Sequence, residues 1–356
     1  MIYDFILVGH GLAGSILAHT LAAHQYSVLV IDQVKPNSAS NVAAGLMNPL
    51  AGKRFAKSWL ADVLVPFATE FYQKLEEDRK VKLFYPKPIL KLFSSVEEQN
   101  NWMGKSAGQP YGDFIQAVYT SLPPSEIIRQ EQGGILIDKG GYVEVALLLE
   151  TLRQIRQERD EIINEQFDFT FLTVESDSVH YKGWQARNII FCEGFQGAEN
   201  PYFKWLPFSL NKGEVLALKP AIPVPTDQVY NKGVYVLPKE DGSLRIGATY
   251  NWRNVDEQPT VAGKEELFGK IEDILKVPFT VLEHKAGIRP AVRDRRPLIG
   301  THPNQERIKI FNGMGSKGVM MAPYLAHHFV QVLSGAEDLL PEINIFRYIT
   351  LYREHY

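Results

Sequence analysis

YDFILVGHGLAGSILAHTLAAHQYSVLVID, residues 3–32, is the stretch of the chain that most constrains its architecture. Tyr3–Val8 is a short apolar run that predicts a buried strand, and Ser27–Ile31 predicts a second one. Between them, the small and apolar residues from Ser15 onward predict a helix. Three glycines, Gly9, Gly11 and Gly14, follow the first strand, and an acid, Asp32, follows the second. Strand, glycine turn, helix and strand in this order predict a βαβ unit.

The glycine spacing in this unit predicts a dinucleotide site. In such a turn the first glycine allows a sharp bend, the second lets the backbone approach a pyrophosphate, and the third lets helix and strand pack closely. The helix N-terminus then favours the phosphate charge. Asp32 would accept hydrogen bonds from an adenosine ribose, and its charge disfavours the 2′-phosphate of NADP. The alternative is that the glycines serve close packing alone.

Composition indicates an ordinary soluble protein with more than one domain. The chain has 356 residues, of which 45% are hydrophobic and 22% charged, and its formal net charge is −3. This charge supplies no general basic field for nucleic acid. The single cysteine, Cys192, excludes an intrachain disulfide and a cysteine-rich metal site, so we expect no metal. No apolar run reaches the roughly 20 residues of a membrane span. We therefore expect a cytoplasmic protein without membrane contact.

The order of predicted elements indicates two interleaved domains in an α/β chain. The beginning and the end are α/β in character, and the stretch around residues 213–250 is rich in predicted strands. We expect a discontinuous nucleotide-binding domain with an α+β second domain inserted in pieces. The expected bounds are 1–80, 140–205 and 285–356 for the former, and 81–139 and 206–284 for the latter.

Eight segments in order resemble the D-amino-acid oxidase superfamily, the flavoproteins that include glycine oxidase, sarcosine oxidase and D-amino-acid oxidase. The resemblance implies a GR2-type FAD/NAD(P)-binding Rossmann-like domain with an inserted mixed-β-sheet substrate domain. The segments are GHGLAG with VLVID, SNVAAGLMNP, GGYVEVALLLETL, ARNIIFCEG, NKGEVLAL, VYVLPKEDGSLRIGAT, AGIRPAVRDRRPLIG and GMGSKGVMMAP.

The resemblance also implies FAD as the cofactor. Its ADP half would lie on the first βαβ unit, and its flavin pyrimidine edge at the glycine-rich turn before the last long helix. Sarcosine oxidases tether flavin through a cysteine, but Cys192 ends a predicted strand, so we expect non-covalent FAD. The implied cofactor-binding residues are Gly9, Gly11, Leu12, Ala13, Gly14, Asp32, Gln33, Ala39, Ser40, Ala44, Gly45, Leu46, Val174, Gly194, Gly313, Met314, Gly315, Ser316, Lys317, Gly318, Val319 and Met320.

Three residues are the implied catalytic group. Arg289, in Gly-Ile-Arg-Pro, matches the arginine that binds a substrate carboxylate, and a guanidinium suits that task because it grips a carboxylate with two hydrogen bonds. Tyr235 matches a pocket tyrosine of glycine oxidase. Lys317, in the flavin-facing turn, would assist the reaction with O2 or pair with the substrate carboxylate; an exposed lysine without a role is the alternative.

The resemblance leaves three functions open. The first is oxidation of a small amine or amino acid by hydride transfer to flavin N5, with O2 as acceptor and H2O2 as product. The second is a tRNA-modifying oxidase, because RDRRPLIG, NGMGSKGVMMAP and PEINIFR resemble the oxidase half of the bifunctional enzyme that finishes 5-methylaminomethyl-2-thiouridine. We expect no methyltransferase half, and a basic turn at Arg293, Arg295 and Arg296 would contact tRNA. The third is a flavin-binding protein that has lost catalysis, or a dehydrogenase that uses another electron acceptor. The oligomeric state stays open.

Overall fold

The computed structural model describes residues 2–51, 56–106, 111 and 113–355. By their internal contacts these residues form two compact units, each made of separate stretches of the chain. The first unit is Met1–Asn41, Val145–Asn211 and Ile288–Tyr356, and the second is Val42–Glu144 and Lys212–Gly287. Residues 42–80 cluster with the second unit, whereas the sequence grouped them with the nucleotide-binding domain. The functional division between the units stays a prediction.

The secondary structure mixes helices and strands along the whole chain. The helices are α1 (Leu12–Ala23), α2 (Ala39–Val42), α3 (Ala61–Arg79), α4 (Val96–Ser106), α5 (Val145–Gln157), α6 (Val261–Glu272), α7 (Gly318–Leu333) and α8 (Ile349–His355). The strands are β1 (Ile2–Val8), β2 (Val28–Ile31), β3 (Leu46–Met47), β4 (Leu50–Ala51), β5 (Ala56–Lys57), β6 (Phe84–Pro86), β7 (Ile89–Leu92), β8 (Ile115–Tyr119), β9 (Gly134–Ile137), β10 (Gly141–Val143), β11 (Ile162–Ile163), β12 (Leu172–Val174), β13 (Val179–Tyr181), β14 (Trp184–Phe191), β15 (Asn211–Pro220), β16 (Val229–Asn231), β17 (Tyr235–Pro238), β18 (Leu244–Gly247), β19 (Phe279–Arg289), β20 (Leu298–His302) and β21 (Gln305–Asn312).

The sheet of the first unit confirms the predicted βαβ arrangement. Its strands run in the order β11-β2-β1-β14-β13-β12, and β21 pairs with β14 and with β20. The pairs β1–β2, β1–β14, β2–β11 and β14–β21 are parallel. The carboxyl ends of these parallel strands share one edge of the sheet, which is where ligands bind in open α/β sheets. This edge therefore carries the glycine turn after β1 and Asp32 after β2.

Apolar side chains from both chain ends build the core of the first unit. Ile6 and Leu29 come from the N-terminal strands, Ile189 comes from β14, and Ile308 and Ile310 come from β21, and all are almost completely buried. Parallel strands buried on both faces favour such continuous apolar runs over alternation. The core thus joins segments more than 270 residues apart in the sequence, such as Ile6 and Ile310.

An eight-stranded mixed sheet forms the centre of the second unit. Its strand order is β19-β15-β18-β17-β16-β7-β9-β8, and β16–β7 is a parallel pair among antiparallel ones. One face packs a core that includes Leu216 and Ile246 of the sheet and Leu267 and Ile271 of α6. Because side chains alternate between faces along a strand, Arg245 lies on the face opposite to Ile246. This opposite face also carries Tyr235.

The elements predicted from periodicity lie close to the expected bounds. Apolar residues at three-to-four spacing from Trp59 to about Arg79 predict a helix, which is α3 and contains Pro66, and the helix predicted from about Glu144 is α5. The apolar run from Phe169 to Thr173 predicts a strand, but Phe169–Phe171 is a 3-10 turn, because Asp168 caps it by accepting from Thr170 N, and the strand begins at Leu172. Among the helices of the described ranges, none combines the length and apolar character needed to cross a membrane.

Candidate active site of the first unit and its cofactor turn

The first glycine turn is packed too tightly for any larger residue. Gly9 has a φ of +99°, and a Cβ there would lie 2.7 Å from the carbonyl oxygen of Cys192. A Cβ on Gly14 would overlap the carbonyl oxygen of Gly9 itself. Positive φ favours glycine because the Cβ of any other residue is sterically strained in that conformation. The turn therefore brings the start of α1 directly over the ends of β1 and β14.

Two helix N-termini adjoin at this turn. Leu12 N, in the first turn of α1, donates to Ser40 Oγ at 3.0 Å. A Cβ on Gly318, the first residue of α7, would lie 2.7 Å from Leu12 Cδ2, so the starts of α1 and α7 are in contact. Each N-terminus presents backbone N–H groups and the positive end of a helix dipole. Together they form a place suited to an anionic group such as a pyrophosphate.

Asp32 stands at the end of β2 beside the turn, with both carboxylate oxygens engaged. Its Oδ1 accepts from His10 N at 2.8 Å, and its Oδ2 forms an ion pair with Arg153 Nη2 of α5. The carboxylate thus lies where the sequence placed a ribose acceptor. Arg153 was missed by sequence reasoning, because a single arginine on a helix 121 positions away carries no motif.

His10, between the first two glycines, is a buried neutral side chain. Its Nδ1 lies 3.0 Å from Ser15 Oγ. Burial, with the nearby charges of Arg153 and Arg156, lowers the pKa of His10 to about 3. A histidine with this pKa does not exchange protons near neutrality. The geometry gives His10 a packing role at the turn.

The second glycine-rich turn, before α7, runs beside Arg289. Gly313 and Gly315 have φ values of +79° and +56°, and Gly315 N donates to the carbonyl oxygen of Pro290 at 3.3 Å. Gly315 also faces Ala291, since a Cβ there would lie 3.8 Å from Ala291 Cα. The predicted flavin-facing turn and the predicted carboxylate-binding segment are therefore neighbours within the first unit.

Arg289 is half-buried and its guanidinium is held in place. Its Nη1 donates to Asn211 Oδ1 at 2.7 Å, and Asn211 is itself buried. A neutral amide oxygen orients the guanidinium without neutralising its charge. The group is thus prepared for an anion. Asn211 was missed by sequence reasoning, although it lies in the segment NKGEVLAL that carries part of the resemblance.

Lys317 sits at the N-cap position of α7 and has an altered pKa. Burial, together with the positive charges of Arg296 and Arg295, lowers the pKa of its ammonium to about 8. The side chain is half-buried rather than fully exposed. A lysine with this pKa at a helix N-terminus differs from an ordinary surface lysine, and such shifts concentrate at functional sites.

The cysteine is unsuited to tether a flavin. Cys192 is buried immediately after β14, and burial raises the pKa of its thiol far above the usual range. The neighbouring Glu193 accepts from Asn200 Nδ2 at 2.6 Å, and burial raises the pKa of Glu193 to about 7. A thiol that stays protonated is a poor nucleophile.

The remaining predicted residues of the first unit lie around these two turns or at its rim. Ser40 and Ala39 belong to α2, and Val174 ends β12 and packs on the core. Gly194 has a φ of +60°, and its carbonyl accepts from Asn312 Nδ2 at 2.9 Å. Gln33 and Ser316 are exposed, Ala13 lies in the first turn of α1, and Met314, Val319 and Met320 are buried.

The second unit carries the other predicted residues. A Cβ on Gly45, whose φ is +69°, would overlap the carbonyl oxygen of Val143, and Gly45 is flanked by half-buried Ala44 and Leu46. On the large sheet, Tyr235 is half-buried and its hydroxyl would lie 2.5 Å from a Cβ on Gly247. A ring that covers the Gly247 backbone in this way explains why that strand position is glycine.

Arg245 is a further candidate on the same sheet face as Tyr235. Its Nη2 donates to the carbonyl oxygen of Val42 at 3.4 Å, and its Nε is buried without a hydrogen-bond partner among the described residues. No sequence pattern selects it, since it stands in the middle of a strand-like run. Arg289 and Lys317 belong to the first unit, so each unit holds part of the predicted catalytic group.

Comparison with known proteins identifies the family. The family model "FAD dependent oxidoreductase" (DAO) matches residues 4–332. The chain belongs to this family. It is therefore an FAD-dependent oxidoreductase, and the recognition made from the eight segments is confirmed, as are the cofactor and the α/β fold class.

Similar proteins include two curated enzymes and one solved structure. The tRNA 5-methylaminomethyl-2-thiouridine biosynthesis bifunctional protein MnmC of Marinobacter nauticus is 24% identical over 91% of this chain, which spans about half (54%) of that protein. A glycine oxidase of Pseudomonas putida is 24% identical and covers 94% of this chain and 95% of its own length. The crystal structure of glycine oxidase from Geobacillus kaustophilus superposes with a TM-score of 0.79 at 19% identity, covering 95% of this chain and 96% of that one.

The residues of the first unit fit FAD. Gly9 and Gly14 let the turn pack directly against the backbone, and the adjoining starts of α1 and α7 carry N–H groups suited to a pyrophosphate. Asp32 stands at the strand end where a ribose acceptor is required. The site therefore accommodates the ADP half of the cofactor in chemical terms.

Proposed function

We propose that this oxidoreductase acts on the C–N bond of a small amine or amino acid that carries a carboxylate, of the glycine, sarcosine or D-amino-acid type. The observation that carries the proposal is the guanidinium of Arg289, oriented by Asn211 at 2.7 Å beside the turn that contains Gly315. A fixed, always charged fork recognises a carboxylate by two parallel hydrogen bonds. The names of the glycine oxidase relatives agree with this substrate class.

In the proposed reaction, the substrate loses a hydride from its α-carbon and a proton from its nitrogen. The product is an imine, which water hydrolyses to an oxo-acid and an amine or ammonia. FAD would supply the acceptor of the hydride, and O2 would take up the two electrons and two protons to give H2O2. Arg289 would orient the substrate rather than react with it, since hydride transfer depends on placement of the α-carbon. Tyr235 would line the pocket.

Lys317 supplies a cation whose charge depends on pH in the working range. With a pKa of about 8, most molecules carry a protonated Lys317 at pH 7. This charge would assist the reaction of O2 or would make a second contact with the substrate carboxylate. The two roles differ in which half-reaction they affect, so stopped-flow kinetics of reduction and reoxidation separate them.

The proposal is tested by anaerobic titration of the purified holoenzyme. Glycine, sarcosine and a panel of D-amino acids are added while the visible flavin absorbance is followed. Bleaching by at least one free amino acid supports the proposal, and subsequent admission of air should restore the absorbance and release H2O2. Bleaching without reoxidation in air would assign the electrons to another acceptor and make the enzyme a dehydrogenase. No bleaching by any free amine would refute the proposed substrate class.

A second candidate function is oxidation of carboxymethylaminomethyluridine in tRNA. It is favoured by the MnmC relative, which matches 91% of this chain, and by two exposed arginines, Arg293 and Arg295, in the turn before β20. Exposed arginines contact RNA phosphates, and such contacts weaken steeply as salt rises. Bleaching of the flavin by carboxymethylaminomethyl tRNA but not by free amino acids would favour this function. Salt-insensitive binding of that tRNA would count against it.

A further inference from the structure

The pair formed by Asp32 and Arg153 is a feature that the family resemblance does not explain. Asp32 follows β2, and Arg153 lies in α5. The ion pair is largely enclosed, because only 16% of the Asp32 side chain and 18% of the Arg153 side chain are exposed. The other carboxylate oxygen accepts from His10 N at 2.8 Å. The carboxylate is therefore held from two directions, by the glycine turn and by α5.

This arrangement changes the charge that an incoming cofactor meets. A bare carboxylate beside the dinucleotide turn would repel the diphosphate of FAD, and partial burial would strengthen that repulsion. Arg153 offsets the charge of Asp32 while each carboxylate oxygen retains a further lone pair for a hydroxyl group. A guanidinium also has five N–H donors, and its bond with Asp32 uses one of them.

We propose that Arg153 is a positioning residue of the adenosine end of the FAD site, acting through Asp32. It holds the carboxylate in one orientation for the ribose, and it offsets the repulsion between that carboxylate and the cofactor diphosphate. The proposal rests on the proposed role of Asp32 in FAD binding. It concerns the affinity for the ADP half and not the chemistry at the flavin.

The experiment measures binding to the apoprotein, with three ligands and matched variants. FAD, ADP and FMN are titrated by calorimetry or by flavin fluorescence against wild type, Arg153→Met, Arg153→Lys, Asp32→Asn and the double variant. Arg187→Met serves as the control, because Arg187 is a 70% exposed arginine of the same unit that pairs with Asp4 at 3.5 Å. The thermal stability of each apoprotein is recorded in parallel.

Arg153→Met should weaken FAD and ADP about tenfold and leave FMN unchanged, since FMN has no adenosine. Arg153→Lys should recover about a third of the affinity lost, because an ammonium keeps the charge but not the planar geometry. In the Asp32→Asn background the Arg153→Met change should have little further effect. As salt is raised from about 0.05 to about 0.5 M, the FAD affinity of Arg153→Met should fall less than that of wild type. In the variant, salt screens the repulsion between Asp32 and the FAD diphosphate that Arg153 otherwise offsets.

Three results would overturn the proposal in distinguishable ways. Equal weakening of FAD, ADP and FMN by Arg153→Met would show a general structural defect instead of a role at the adenosine end. An unchanged FAD affinity in Arg153→Met, with a weakened one in Asp32→Asn, would refute the role of Arg153 but keep that of Asp32. Unchanged affinity in Asp32→Asn would refute the role of Asp32 on which the inference rests, whether or not the enzyme oxidises amines.

Discussion

Replacing Arg289 with alanine tests the proposed substrate recognition most directly. The variant loses the guanidinium that Asn211 holds at 2.7 Å, and with it the paired hydrogen bonds to a carboxylate. A hydrogen bond to a charged group contributes about 1.5–3 kcal/mol. At 1.4 kcal/mol for each factor of ten, kcat/KM for the preferred amino acid should fall about 10- to 150-fold. FAD content should not change, because the side chain is not part of the glycine turns.

The assay is steady-state H2O2 production, together with the dissociation constant for substrate from anaerobic flavin reduction. Most of the loss should appear in KM and in that dissociation constant. Arg289→Lys should recover only part of it, because a lysine cannot form the bidentate pair. An amine substrate without a carboxylate should be oxidised by wild type and Arg289→Ala at similar rates, since it has nothing for the guanidinium to bind.

Two further variants sharpen the interpretation. Asn211→Ala leaves the charge but removes this hydrogen bond to the guanidinium, so we expect a smaller loss of about fivefold, near 1 kcal/mol. Arg307→Ala is the control, because Arg307 is a half-buried arginine of the same unit whose Nε donates to the carbonyl oxygen of Ser176 at 3.0 Å. If Arg289→Ala changed kcat/KM no more than Arg307→Ala did, the proposed carboxylate site would be wrong.

The remaining predictions concern charge, burial and the thiol. Burial lowers the pKa of Lys317 to about 8, so a step that needs its positive charge should slow as pH rises through 8. Lys317→Arg should abolish that decline in the dependence of kcat on pH, because arginine stays charged. Lys212 is fully buried and pairs with Asp256 at 2.6 Å and with buried Glu214 at 3.7 Å. Lys212→Met should reduce the free energy of unfolding by about 3 kcal/mol in urea titrations, because it removes the buried cation that faces both carboxylates. Burial raises the pKa of the Cys192 thiol, so in the native protein it should resist alkylation by iodoacetamide. Because the flavin is not tethered to this thiol, acid precipitation should release all flavin into the supernatant. Flavin retained in the precipitate would contradict non-covalent binding.

Local patterns in the sequence determined most of the secondary structure. The apolar strands and the glycine turn fixed β1, α1 and β2, because alternation of strand, turn and helix is set by residues within a few positions of each other. A side chain that bonds to a nearby backbone N–H competes with the hydrogen bonds between strands. Asp168 does so at the 3-10 turn before Leu172, and the strand therefore begins later than apolar composition predicts. Eight short segments in order sufficed to recognise the family and its cofactor.

Only the tertiary structure decided which side chains meet at the candidate sites. Asp32 and Arg153 are 121 positions apart, and Arg289 and Asn211 are 78 apart, so no local spacing links either pair. The first contact follows from the packing of α5 beside β2, and the second follows from the pairing of β15 with β19, which begin and end at Asn211 and Arg289. The starts of α1 and α7 adjoin for the same reason. The sequence alone determined the elements and the family, because both depend on short-range patterns, whereas the partners that orient and balance each charge depend on long-range packing.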